Sequence, residues 1–428
     1  VSSIQANQAN QPDPIVQSSV AEQQALAYLR STQAIRDRCG FLFDLACQDK
    51  LQSFRCNLNQ LDRAATYVLK VMQQRYPDWQ IPFHSRWRHF EAGNSDRIAY
   101  LNTVLAGLSP LEQARTQFDL VIVSVLLDAG AGLSWQYVEP NTNQVFRRSE
   151  GLAIASFHLF LQGGFSSDPN CPLQANAHGL QNFTESTLKQ GFQVTEHNPL
   201  VGVSGRVQLM QQLGQVLQQS PLLFGADNPR PGYLVDYLMQ QSGDGILSAH
   251  TVFEAVLAGF SEIWPGRSRL ASVNLGDVWR HSALPKGTMG AQLVPFHKLS
   301  QWLTYSLLEP LQALGLTIVG LDELTGLPEY RNGGLCVDLG LLQPKSEAIV
   351  TQPHAVDSEV IVEWRALTVI LIDRLAQTIR QKLSMTPETL PLAKVLEGGT
   401  WAAGRAIAAD RRADGRPPIQ IISDGTVF

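Results

Sequence analysis

The segment Leu111–Asp128, LEQARTQFDLVIVSVLLD, decides the class of the fold. Its second half is an almost unbroken apolar run, which periodicity alone assigns equally to a buried strand or a buried helix. Length and the preceding EQARTQFD favour a helix. The run stops at Asp128, where Gly130 and Gly132 allow a tight exit. A carboxylate beside such a turn either serves a site or satisfies backbone donors.

Upstream, Ala21–Cys47 carries Leu26, Leu29, Ile35, Leu42 and Leu45 near helical spacing, and Ser31 is placed to cap its second part. Leu61–Arg75 repeats the pattern. Residues 1–20, rich in Gln, Ser and Pro, are expected to be a disordered tail. Tyr76–Gly93, YPDWQIPFHSRWRHFEAG, is expected to be extended or turned, because Pro77 and Pro82 oppose a helix. It brings His84, Arg86, Arg88 and His89 between aromatic rings. On an extended backbone Arg86 and Arg88 share a face suited to a carboxylate or phosphate. Equally, they can pair with acids inside a structural loop.

Downstream, Trp135–Arg148 reads as an irregular hairpin and Ser149–Leu161 as a helix. Asn198–Leu223 holds a Gln-rich helix with Arg206 near its start, where an anion or a structural partner can sit. Ile246–Ile263 is an amphipathic helix, and Leu316–Gly320 a strand. Leu327–Leu342 is expected to be a hairpin turning at Asn332–Gly334, with Glu329 and Arg331 on one face. Val360–Leu383 is a central helix with a strand-like entry, VIVEWR, where Glu363 and Arg365 form a further acid–base pair. The sum is mainly α with minor β (α+β). No internal repeat is present. Residues 21–428 form one large catalytic unit, or two lobes, 21–245 and 246–428, sharing a cleft.

Composition narrows the function. The 428 residues are 44% hydrophobic and 17% charged, with a net charge of −5. That suits a packed globule and gives no global field for nucleic acid or an anionic membrane. No apolar run reaches the ~18 residues of a membrane span, and no signal peptide is expected, so the cytoplasm is the expected location. Five cysteines without a C-x-x-C pair (Cys39, Cys47, Cys56, Cys171 and Cys336) argue against a disulfide framework or a Cys-rich zinc site. No Gly-rich nucleotide loop or H-E-x-x-H is present, so neither a cofactor nor a metal is expected. The nearest approaches to metal spacing are His84 with His89 and His281 with His297.

The chemistry concentrates in Asn274–Tyr305, NLGDVWRHSALPKGTMGAQLVPFHKLSQWLTY. Asp277 precedes Trp279, Arg280 and His281. Residues 285–290 form a flexible loop and candidate lid. His297 opens a helix from about Phe296 to Leu308, with Leu299, Trp302, Leu303 and Leu307 on its apolar face. Lys298, Gln301 and Tyr305 line another face. A carboxylate among aromatic rings can stabilise the cation that develops when an N-glycosidic bond breaks, or can take a proton from the attacking water. Asp277 can equally cap a helix or pair with Arg280.

Ten segments, among them IPFHSRWRHFEAG, SVLLDAGAG, NPLVGVSGR, LGDVWRH, VPFHKLSQWLTYSLLEP, LTGLPEYRNGG, VEWRALTV and GGTWAAGR, resemble the fungal and bacterial family of uracil-catabolism protein four, from Ala21 to Phe428. The resemblance implies a place in a pyrimidine-degradation pathway. A cyclohydrolase-like partner enzyme opens the uracil ring on its ribose, and urea is released from a ribosylurea or its phosphate. GD-x-W-R, VPxxLxxWLxYS and VEWRALTV are also similar to the queuosine-nucleoside salvage glycosidases. That likeness implies a helical, DNA-glycosylase-like core and carries a catalytic carboxylate onto Asp277. Together these give an N-ribosyl hydrolase with Asp277 as charge stabiliser and His297 or His281 moving the proton. His84, Arg86, Arg88, His89, Trp279 and Arg280 are expected to bind substrate. So are Lys298, Gln301, Trp302, Tyr305, Glu329, Arg331 and Glu363. Two alternatives stand beside it: a non-catalytic partner of the ring-opening enzyme, and a metal-dependent amidohydrolase acting on a urea C–N bond.

Overall fold

The computed structural model describes residues 19–132, 134–264 and 267–422. The expected tail lies outside them up to residue 18, as does Ser423–Phe428. The last two residues assigned to that tail, Ser19 and Val20, instead start a helix, Val20–Leu29. Ser19 and Glu22 close a capping box there.

The deciding segment is a helix, Pro110–Leu126. Ser109 caps it by accepting from the Glu112 N–H at 3.2 Å. Pro110 occupies the first turn, where no intrahelical N–H is needed. Every residue from Phe118 to Leu126 is buried, which is why the run carries no helical period: a helix covered on all sides has no polar face. It packs against the helices Lys298–Ala313 and Arg148–Leu161.

A second axis is the 25-residue helix Glu359–Leu383, about 37 Å long at 1.5 Å per residue. It packs on Thr32–Cys47 and Leu61–Arg75. Ser31 caps the former through the Ala34 N–H. The strand-like VIVEWR is the first part of this long helix. Its β-branched Ile361 and Val362 are buried, and tertiary burial outweighs their strand preference.

Two further expectations need correction. Leu327–Leu342 is not a hairpin: Tyr330–Asp338 is helical, and the expected shared strand face of Glu329 and Arg331 does not exist. The glycines there mark close packing rather than a turn. A Cβ on Gly333 would lie 2.6 Å from the Trp364 ring. Arg86–Phe90 is likewise a single helical turn, so Arg86 and Arg88 point apart.

Among the described residues, the strands form six two-stranded pairs, of which 246–248 with 317–319 and 353–355 with 420–422 are parallel. The expected hairpin pairs Gln136–Val138 with Val145–Arg147. The protein is therefore mainly helical with small sheets. One apolar core runs from Ile35 to Ile419, and a small satellite joins Leu26 and Leu29 to Leu275 and Val278.

Candidate active site

A cavity of about 440 Å³ opens where the pieces meet. Its walls are the Asp128–Gly132 turn, the starts of the helices Arg148–Leu161, Lys298–Ala313 and Tyr330–Asp338, the helix Trp401–Arg411, and the strand end near Gln420.

Asp128 enters this wall because its helix ends there. Arg206, fully buried, holds the turn by donating to the carbonyls of Leu127 (3.1 Å), Ala129 (2.7 Å) and Gly130 (3.2 Å). Gly132 is required at φ +88°, where a Cβ would meet Val201 at 2.8 Å. The Asp128 carboxylate accepts from the Ser149 hydroxyl at 2.6 Å and pairs with Arg86 at 3.2 Å. Burial pushes its pKa up, but the Arg86 charge and the hydroxyl outweigh burial and hold it below the usual carboxylate range. Arg86 also contacts Nδ1 of His89 at 3.2 Å. An arginine can only donate, so Nδ1 accepts and the neutral ring carries its proton on Nε2. Burial and the Arg86 charge bring the His89 pKa down to about 4.

His84 has the opposite partner. Its Nδ1 lies 2.9 Å from Glu397, which also accepts from Arg75 at 3.3 Å. Burial would raise the Glu397 carboxyl, but the His84 bond and the His84 and Arg75 charges bring it down to about 2. An ionised acceptor fixes the proton on Nδ1 and leaves Nε2 as the working nitrogen. Glu397 sits in a π-helical turn, Leu396–Thr400, a distortion that is common at functional sites. The rings of His84 and His89 pack with Trp302 and Trp401, with centroids 5.5–6.3 Å apart. The buried indole N–H of Trp302 has no hydrogen-bond partner among the described residues.

Glu329 faces the same space from the N-cap of Tyr330–Asp338. It accepts from the N–H groups of Arg331 (2.6 Å) and Asn332 (2.5 Å). Burial raises its pKa despite those bonds and the nearby Lys298 charge. Burial also lowers the Lys298 pKa, against the pull of Glu329 and Asp128. Lys298 lies over the Trp302 ring, 5.6 Å from its centroid.

Of the residues expected to form the site, His84, His89, Lys298, Trp302, Glu329 and Arg331 line this cavity. Asp277 and His297 line a separate recess of about 30 Å³, which Lys298 also borders. Four donors converge on Asp277. Oδ1 accepts from Arg365 (2.7 Å) and Trp279 (2.6 Å), and Oδ2 from Arg365 (2.7 Å) and the Lys298 N–H (3.0 Å). Those donors overcome burial and hold its pKa far below the usual range. His297, at φ +47°, donates from Nε2 to the Leu29 carbonyl at 2.8 Å. His281 and Glu363 are buried 3.4 Å apart, and Glu363 also accepts from the Ser53 N–H. Glu363 thus bonds elsewhere than to Arg365.

The remaining expected residues lie off both walls. Arg86 stands behind Asp128, and Arg88 pairs with Glu309 at 2.8 Å. Trp279 is bound to Asp277, and exposed Arg280 to Gln292 at 3.0 Å. Gln301 is buried on Phe296 and Thr325, and Tyr305 is fully buried. The cavity face of this helix is Lys298 and Trp302, four residues apart, rather than Lys298, Gln301 and Tyr305. The 285–290 segment lies off the cavity wall.

Reading by local pattern missed Arg148, Glu150, Glu397, Trp401 and Arg405. The signal for the last three was the segment EGGTWAAGR, in which an acid, a tryptophan and an arginine flank small residues. Among the described residues, no group of three or more His, Cys, Asp or Glu is placed to hold a metal ion, and no helix is long and apolar enough to cross a membrane.

Residues 28–428 match a family model described as a protein of unknown function, DUF1688. Uracil catabolism protein 4 of Lachancea kluyveri is 39% identical over 437 residues, covering 94% of this chain and 99% of that protein. Protein urg3 of Schizosaccharomyces pombe is 39% identical over 416 residues, covering 95% and 99%. With matches of that extent, the chain belongs to the DUF1688 family, which it shares with these two fungal proteins.

Proposed function

We propose that the protein acts in uracil catabolism by hydrolysing the N-ribosyl bond of ribosylurea, or of its phosphate, to release urea. The observation that carries this reading is the pair of carboxylates on one cavity, Asp128 held ionised and Glu329 held towards the protonated form. Two carboxyl groups pushed apart in this way divide acid and base work between them. Water attacks the anomeric carbon as the C–N bond breaks. Glu329 gives its proton to the departing urea nitrogen, and Asp128 faces the positive charge that develops on the sugar. His84, oriented by Glu397, takes the proton of the water. Trp302 and Trp401 keep bulk water from the reacting atoms and so strengthen these charges.

Asp277 then acts as a positioning residue: through Arg365 and the Lys298 N–H it sets the helix start that presents Lys298 to the cavity. A DNA-glycosylase-like core and a cytoplasmic location belong to the same proposal. So does a supply of substrate from a cyclohydrolase-like enzyme. The name of the Lachancea relative supports its uracil-catabolism part. A non-catalytic partner would be expected to present a broad apolar surface rather than a polar cavity.

The test is incubation of the purified protein with synthetic ribosylurea and its 5-phosphate, with and without chelator. Urea and the free sugar should appear in equal amounts, unaffected by chelator. Absence of both products would overturn the reading. Ammonia appearing before urea, with loss of turnover on chelation, would favour the metal-dependent amidohydrolase.

A further inference from the structure

Charge on the cavity wall is out of balance. Arg148, Lys298, Arg331, Arg405 and Arg416 stand against Asp128, Glu150 and Glu329. That is an excess of two cations on a chain whose net charge is −5. The pairings show which two remain. Glu150 takes Arg405, and Asp414 takes Arg416 at 2.6 Å. Lys298 sits in the field of Glu329 and Asp128. Arg148 and Arg331 form no ion pair with any carboxylate among the described residues.

Arg331 is only 4% exposed and ties its NH1 to the Gly415 carbonyl at 2.8 Å. Its remaining donors have no protein acceptor among the described residues. Arg148 opens its helix at φ +53°, a left-handed conformation that costs a non-glycine residue energy and persists where the surroundings enforce it. The two guanidinium groups lie close enough that Arg148 helps to depress the Arg331 pKa, after burial. A buried cation that no carboxylate pairs is expensive, and the nearby Glu329 charge only partly offsets burial at Arg331. Buried Arg331 beside half-buried Arg148 on one cavity is best explained by an anion that arrives with the ligand. The planar donor fork of arginine matches a phosphate with two parallel bonds.

We propose that Arg148 and Arg331 form an anion subsite that binds the phosphate of a phosphorylated ribosyl substrate. The sugar in this statement rests on the proposed N-ribosyl reaction, but the anion subsite does not. The substrate class is then a ribosyl phosphate carrying urea at its anomeric carbon. The enzyme that supplies it must act on a nucleotide rather than on a free nucleoside.

Binding tests this without turnover. Isothermal titration of the full chain with ribose, ribose 5-phosphate and inorganic phosphate should show ribose 5-phosphate tighter than ribose by about tenfold or more, as expected for added charge-assisted bonds. Arg148→Gln should erase that preference and Arg148→Lys keep part of it. The Arg148 side chain makes no hydrogen bond or ion pair among the described residues, so its replacement spares the fold. Equal affinity for the two sugars, or an undiminished preference in Arg148→Gln, would overturn the subsite. Inorganic phosphate binding as tightly as ribose 5-phosphate would overturn its assignment to a sugar phosphate. A protein that prefers ribose 5-phosphate yet leaves ribosylurea and its phosphate intact would sink the hydrolase reading and leave the anion subsite standing.

Discussion

Replacing Asp277 by Asn separates a positioning role from a chemical one. The carboxylate meets two donors on each oxygen: Arg365 and Trp279 on one, Arg365 and the Lys298 N–H on the other. An asparagine has one oxygen and one NH₂. Whichever way the amide turns, two donors face its NH₂ and lose their acceptor. The charge of Arg365, whose side chain is 2% exposed, loses its counter-ion at the same time. Breaking a buried pair by removing one partner costs ~3–5 kcal/mol. Asp277→Asn should therefore lower the midpoint of urea unfolding at unchanged slope by the equivalent of about that energy. The same loss should develop in the wild type with acid. The folded-state pKa of Asp277 is depressed, so its contribution is complete above the unfolded pKa near ~4 and fades as pH falls below it. If Asp277→Asn unfolds at the wild-type midpoint but has lost urea release, the positioning argument fails, and Asp277 is the reacting carboxylate.

Glu329→Gln gives the contrasting profile. Glutamine keeps one acceptor at the N-cap, so stability should fall by only ~1 kcal/mol, whereas kcat for urea release should fall by about 10²–10⁴; a loss of stability like that of Asp277→Asn without loss of rate would refute the acid role. The pH profile of kcat should be bell-shaped. Asp128, with its lowered pKa, must be ionised and the base His84 must be neutral, so both shape the acid limb; Glu329, with its raised pKa, must be protonated, so rate falls as pH rises through it. Glu329→Gln should abolish the alkaline limb in whatever activity remains, and an unmoved limb would count against the assignment. Gly333→Ala presses a methyl group to 2.6 Å from Trp364 and should cost ~1–3 kcal/mol by overpacking, read as a lower unfolding midpoint; no change would mean the two helices part more readily than their packing indicates.

The helices were legible where end signals and length agreed, as at Leu111–Asp128 with its Gly-rich exit and at Ser31. Gly-rich LPEYRNGG misled because glycine marks both a turn and a close approach. Only the position of Trp364, distant in sequence, distinguishes the two. The site was half legible for a related reason. His84 and His89, or Lys298 and Trp302, cluster within single stretches, and a local excess of capable side chains is visible in a sequence. Asp128 was visible as a carboxylate at a helix end, yet its ionised state depends on Arg86, on another helix. Asp277 stood out by the density of chemistry around it. The partner that occupies both its oxygens, Arg365, lies 88 residues away, and no spacing rule joins them.

Arg365 explains why a segment so rich in reactive groups can stand beside a site rather than form it. Its guanidinium holds Asp277 with two 2.7 Å bonds, its Nε reaches the Pro328 carbonyl at 3.4 Å, and its face lies 4.1 Å from the centre of the Phe296 ring. Asp277 in turn accepts from the Lys298 N–H, and Pro328 immediately precedes Glu329. One side chain of the long central helix thus fixes the starts of two other helices, and with them the cation and the acid that face each other across the cavity. Positioning at this level matters, because a displacement of about 1 Å far from the reacting atoms can cost 10²-fold in rate. Arg365→Lys keeps the charge but lacks the fork that reaches Asp277 and Pro328 together. It should therefore depress kcat more than it depresses stability, and move the alkaline limb of the pH profile as Lys298 and Glu329 drift apart. A variant that lost stability with the pH profile unmoved would reduce Arg365 to a plain structural pair and remove its link to the cavity.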